Sequence, residues 1–140
     1  MKILPKENIK DFVFGGNALF TIKNEESGNR FTYKVRKPKD DKESKVAFVS
    51  VLSGSDNYSN YSYLGTVWEG TSFYHGKKSK VAKDAQSAQV FKWAFPLLKS
   101  GRLPEVVNIY HEGKCGCCGR RLTVPESIEA GIGPICRGHK

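Results

Sequence analysis

At 140 residues the chain can hold one domain with a sizeable core but not two full-size domains. Lys and Arg number 23 against 14 Asp and Glu, a net charge of +9 that suits phosphate backbones or an acidic protein partner and says nothing about fold. No stretch approaches the roughly eighteen apolar residues of a membrane span, and Met1 to Lys6 lacks the apolar run of a signal peptide, so a cytoplasmic protein without membrane contact is expected.

Residues 1–16 read as a lead-in closed by the Gly15-Gly16 turn signal. From Asn17 the pattern alternates, with Ala18, Phe20 and Ile22 on one face, which predicts a strand. Asn24 to Asn29 has hairpin length, and Arg30 to Arg36 then points Phe31, Tyr33 and Val35 inward and Arg30, Thr32, Lys34 and Arg36 outward, leaving a basic outer face. Lys37 to Lys45 is charged and apolar-free and predicts a solvated loop, whereas Val46 to Leu52 predicts a central strand buried on both faces. Ser53 to Asn57 turns the chain. Tyr58 to Trp68 resumes alternation, with Tyr61, Tyr63, Gly65 and Val67 on one side and Ser62, Leu64, Thr66 and Trp68 on the other; a short fifth strand at 72–75 follows.

The period then changes. Val90, Phe91, Ala94, Leu97 and Leu98 recur at helical intervals, predicting a helix over about 84–100 capped by Asp84, loosened at Pro96 and ended by Gly101, with Phe91, Trp93 and Phe95 in the core. Residues 106–110 predict one more strand. The expected fold is α+β: an antiparallel β-meander of four or five strands packed on one helix across residues 1–110, with residues 111–140 forming a zinc-binding knuckle packed on it.

All four cysteines and two of the three histidines fall in those last thirty residues. Cys115 and Cys118 are two residues apart, Cys136 follows after seventeen and His139 after two more: C-x2-C-x17-C-x2-H, a spacing suited to tetrahedral Zn2+. In a reducing cytosol such cysteines are metal ligands rather than disulfides, and the adjacent Cys117 and Cys118 make awkward disulfide partners. Three thiolates and one imidazole would close the site, which makes the metal structural, since catalytic zinc keeps a position open for water.

The run from His111 to Cys136, H-E-G-K-C-G-C-C-G-R-R-L-T-V-P-E-S-I-E-A-G-I-G-P-I-C, resembles the signature of a family of small phage and bacterial proteins of unknown function. Gly16 to Thr21, Asp56-Asn57 with Tyr61 and Tyr63, and Phe91 with Trp93 resemble it less specifically. The resemblance implies a zinc-bearing, phage-encoded accessory protein acting in the host cytoplasm. It also implies His111 as fourth ligand, where spacing alone selects His139; the expected ligands are Cys115, Cys118, Cys136 and His111, with His139 as the alternative fourth.

Seven of the nine net positive charges lie in the second half. Lys77, Lys78, Lys80 and Lys83 precede the helix, and Lys114, Arg120, Arg121 and Arg137 flank the cysteines; on one surface they would bind DNA or RNA phosphates. Tyr58, Tyr61, Tyr63, Phe73 and Tyr74 would stack unpaired bases if exposed, or pack the sheet if not. No nucleophile elbow, phosphate-cradling glycine loop or acid–base constellation occurs. The sequence thus predicts a non-enzymatic nucleic-acid-binding accessory protein, the alternative being a phage inhibitor that docks on a host defence or transcription protein.

Overall fold

The computed structural model describes residues 2–38, 44–53, 60–68, 72–122 and 125–133. The expected loop at 37–45 and turn at 53–57, with Asp56, Asn57 and Tyr58, lie largely outside them.

Among the described residues seven strands form one antiparallel sheet: β1 (Lys2–Ile3), β2 (Asn17–Asn24), β3 (Arg30–Arg36), β4 (Val46–Leu52), β5 (Tyr61–Trp68), β6 (Phe73–His75) and β7 (Val107–His111). Their order is β1-β7-β2-β3-β4-β5-β6. The sheet is larger than the expected four or five strands on one helix: β2–β6 run as a meander, and β7 then returns to the far side of β2 and carries β1 outside it, which the linear pattern does not announce. Three helices complete the described fold: α1 (Ile9–Val13), preceded by a 3-10 turn at Lys6–Asn8, then α2 (Gln86–Ser100) and α3 (Pro125–Ala130). The expected α+β class holds.

One face of the sheet carries the core. Ala18, Phe20 and Ile22 of β2 meet Tyr33 and Val35 of β3 and Val49 and Val51 of β4, all buried, beneath α2. Phe91 is the hub, with ring centroids 5.1 Å from Tyr33 and 4.9 Å from Phe73. The Tyr33 hydroxyl donates to the Ser87 carbonyl at 2.7 Å and so ties β3 to the first turn of α2.

Several expectations need correction. The lead-in is core, because Leu4, Ile9, Phe12 and Val13 are buried in the same cluster as the sheet. Strand β4 is buried on one face only and Phe48 is 47% exposed on the other, since nothing among the described residues covers the second face. Alternation in β5 breaks at a bulge where the register slips between Val49 and Ser50, so Leu64, Gly65 and Val67 turn inward while Tyr61, Tyr63 and Trp68 share the outer face. Helix α2 is capped at Ala85 without a side-chain bond, not by Asp84, and it runs through Pro96 to a left-handed Gly101. Trp93 stands 47% exposed beside a groove between α2 and the β2–β3 hairpin, outside the core.

Candidate functional site

After β7 the chain makes a tight hairpin. Lys114 pairs with Arg121, the Leu122 amide donates to the Gly113 carbonyl at 2.7 Å, and the Cys115 amide donates to the Arg120 carbonyl at 2.8 Å. Gly113 and Gly119 take positive φ at its two bends, a conformation glycine adopts at least cost. The hairpin seats on the start of β2, where the Asn17 amide donates to the Gly116 carbonyl at 2.7 Å.

Cys115 is buried, and its Sγ accepts three amides: Gly133 at 3.2 Å, Cys117 at 3.4 Å and Cys118 at 3.5 Å. Burial alone would raise this thiol, but those amides and the adjacent Cys118 thiol outweigh it and draw the pKa down to about 7. The Gly133 contact carries a topological consequence, because α3 and the Gly131 turn bring the chain back onto the first cysteine. The Gly116 amide donates to the Gly131 carbonyl at 2.8 Å and fixes that return.

His111 ends β7 at 1% exposure. Its Nδ1 accepts the Gly113 amide at 3.0 Å, so the neutral ring carries its proton on Nε2, which faces the Ile128 carbonyl without reaching hydrogen-bond geometry. Burial is the largest influence and holds the imidazole below the ordinary histidine value. Its ring leans on Phe12, centroids 5.5 Å apart. Among the described residues no three His, Cys, Asp or Glu side chains come together to hold a metal, so His111 is not gathered there with Cys115 and Cys118. Cys136, Arg137 and His139 lie outside the described residues.

The predicted basic residues divide. Lys114 lines a cleft of about 210 Å³ with Asn17, Lys34, Arg36 and Gly119, and Arg121 sits beside Lys114 across the hairpin bridge, next to Arg120. The Lys34 ammonium lies 3.9 Å from the Tyr61 ring centroid; burial, then Arg36 and Lys114, lower its pKa. Lys77, Lys78, Lys80 and Lys83 are placed on the β6–α2 loop at the other edge of the sheet. That loop borders the outer face: the Ser79 hydroxyl donates to the Tyr63 carbonyl at 2.8 Å, and Gly76 packs against the Tyr63 ring.

Between the two basic groups runs a register row. Asn17 pairs with Arg36, Arg36 with Phe48, Phe48 with Thr66, and Thr66 with Tyr74, all on the outer face. Phe48, Tyr63, Trp68 and Tyr74 there are 36% to 57% exposed. Lys34 and Arg36 in the site, and Phe48 and Trp68 on the face, are absent from the candidate residues read from sequence; the outward alternation of β3 was the available signal for the first pair. Phe73, expected among the stacking rings, faces inward against Phe91. The acidic Glu25 at the far end of this face is engaged: Tyr110, Asn108 and Lys23 bond to it and lower its pKa to about 2.

Over residues 109–139 the chain is similar to a family of unknown function (DUF6011). No curated protein and no solved structure matches the chain. No helix among the described residues is long and apolar enough to cross a membrane.

Proposed function

We propose that the protein is a non-enzymatic, zinc-stabilised nucleic-acid-binding accessory protein, phage-encoded as the signature resemblance implies. The observation that carries the reading is the cleft where Lys34 and Arg36 of β3 meet Lys114 of the hairpin, with Arg121 across the bridge from Lys114; Arg120, next in the chain, is proposed as a further contact. Burial and then the like charges of Arg36 and Lys114 lower the pKa of Lys34, and a phosphate placed between them would relieve that repulsion. Arg137, which follows Cys136 in the sequence, is proposed as a further phosphate contact.

Zinc has a specific job in this reading, which is to hold the hairpin against the return from α3. Cys115 and Cys118 supply two thiolates. Gly133, bonded to Cys115, lies three residues before Cys136, and three residues span at most about 10 Å, so a third thiolate is within reach. The N–H bonds to Cys115 favour the thiolate a metal requires. For the fourth ligand His139 is favoured over His111, whose Nδ1 is used by Gly113 and whose Nε2 carries the proton. With four protein ligands the metal would be structural.

The test is fluorescence anisotropy with labelled single- and double-stranded DNA and RNA at 50 and 200 mM salt. Neutralising three phosphates predicts a roughly 20- to 40-fold loss of affinity between those salts. Arg36→Glu and Lys114→Glu should weaken every probe alike. Absence of binding to all probes at the lower salt would overturn the reading and favour the alternative of a host defence or transcription protein as target.

A further inference from the structure

We infer that the outer face of the sheet is a track for single-stranded nucleic acid, whose bases stack on Phe48, Tyr63, Trp68 and Tyr74 while the Lys34–Arg36–Lys114 cleft holds the backbone at one end and the β6–α2 lysines hold it at the other. The inference rests on the nucleic-acid reading above and names the form of the ligand. Cations alone serve any phosphate chain, single or double, because charge does not distinguish them. Exposed rings do distinguish them, since only an unpaired base offers a π-face to a side chain.

The register makes the track continuous. From Arg36 to Tyr74 the row crosses three strand spacings, about 14 Å, through Phe48 and Thr66. Tyr63 stands in the neighbouring row opposite Ser50, which itself pairs with Lys34, so the ring lies two strands beyond the cleft. Its hydroxyl is 3.0 Å from the Thr66 hydroxyl, which fixes the ring's tilt. The β5 bulge is the device that builds this face. With unbroken alternation Tyr63 and Trp68 would lie on opposite sides of the sheet; the slipped register turns both outward.

Charge complementarity selects the occupant. An apolar protein partner would suit the rings but not a face bounded by Lys34, Arg36 and Lys114 at one end and by Lys77, Lys78 and Lys80 at the other. A strand of nucleic acid answers both features, because its phosphates run alongside its bases.

The experiment compares three probes of equal length: a thymidine oligonucleotide, a uridine oligonucleotide, and an abasic deoxyribose-phosphate chain that carries the charge without the bases. The protein is compared with its Phe48→Ala and Tyr74→Ala variants, both at exposed positions and each verified by circular dichroism. Trp93→Phe leaves Trp68 as the sole indole and a direct reporter. Stacking predicts tenfold or tighter binding of a base-bearing probe over the abasic one, a roughly 5- to 100-fold loss for each alanine variant on base-bearing probes only, and quenching of Trp68. The tighter of the thymidine and uridine arms separates DNA from RNA. Equal affinity for abasic and base-bearing probes, with unchanged binding by the alanine variants, would overturn the track and leave the phosphate reading intact. Loss of all binding would overturn both. Wild-type self-association abolished by Phe48→Ala, with no base-dependent binding, would also overturn the track and assign the face to a second copy of this chain.

Discussion

Gly116 shows how finely single residues hold the hairpin to the sheet. A Cβ built there would meet the Phe12 ring and approach the Phe12 carbonyl oxygen to 2.7 Å, and backbone cannot swing aside as a flexible side chain can. Gly113 has a different constraint, with open space for 4 Å around the position a methyl group would take but a φ of +78°. Gly116→Ala should therefore cost about 1–3 kcal/mol through overpacking, and Gly113→Ala about 1 kcal/mol through left-handed strain alone. Denaturant unfolding of the two variants checks the order; a Gly113 variant less stable than the Gly116 variant would mean that the contact with Phe12 is not what fixes the hairpin. Gly15 repeats the theme from the opposite side, as a Cβ on it would reach the Gly116 carbonyl at 2.8 Å.

Among the elements, α2 depends on a narrow stripe. Phe91 touches Tyr33, Phe73 and Phe95, whereas Trp93, two residues on, faces outward. Phe91→Ala should cost about 3–5 kcal/mol and the half-exposed Trp93→Ala only about 1–2 kcal/mol, read by thermal or denaturant unfolding. A large loss at Trp93 would contradict the assignment of faces. The contrast also shows what was legible. The 3.6-residue period located α2 and its apolar stripe, and the two-residue period located β2 and β3 with their inward residues. It failed at β5, because a bulge adds one residue and inverts the alternation beyond it, and at β4, where Val and Phe describe strand propensity but cannot say whether a second layer exists. Helix α1 was missed although Ile9, Phe12 and Val13 repeat at three and four residues; at 5 residues it is too short for a periodic window to register.

At the scale of the whole molecule two apolar clusters meet at Phe12. The large one spans the sheet, α1 and α2; the small one gathers Cys115, Leu122 and Ile132, with Ile128, Cys117 and Cys118 against it. The cysteine spacing pointed to the turn at Cys115, whose Sγ accepts three amides, but no spacing could reveal that His111 would spend Nδ1 on Gly113 or that the lysines ahead of α2 would stand at the opposite edge from the hairpin. If the proposed zinc is bound, the two-cluster arrangement predicts how the protein responds to losing it. A domain with little apolar core unfolds when its metal leaves, because metal binding supplies the folding free energy. Here the sheet buries its own core, so chelation should release one zinc per chain, lower the melting temperature and loosen the hairpin while the β signal in far-ultraviolet circular dichroism persists. Cys115→Ser, Cys118→Ser, Cys136→Ser and His139→Ala should each lower the zinc content, whereas Cys117→Ser and His111→Ala should keep it, the latter losing stability through the cavity beside Phe12. Native mass spectrometry of protein purified without chelator reads the stoichiometry directly. Metal-free protein there would remove zinc from the proposal, and collapse of the β signal on chelation would show that the sheet depends on the hairpin for its stability.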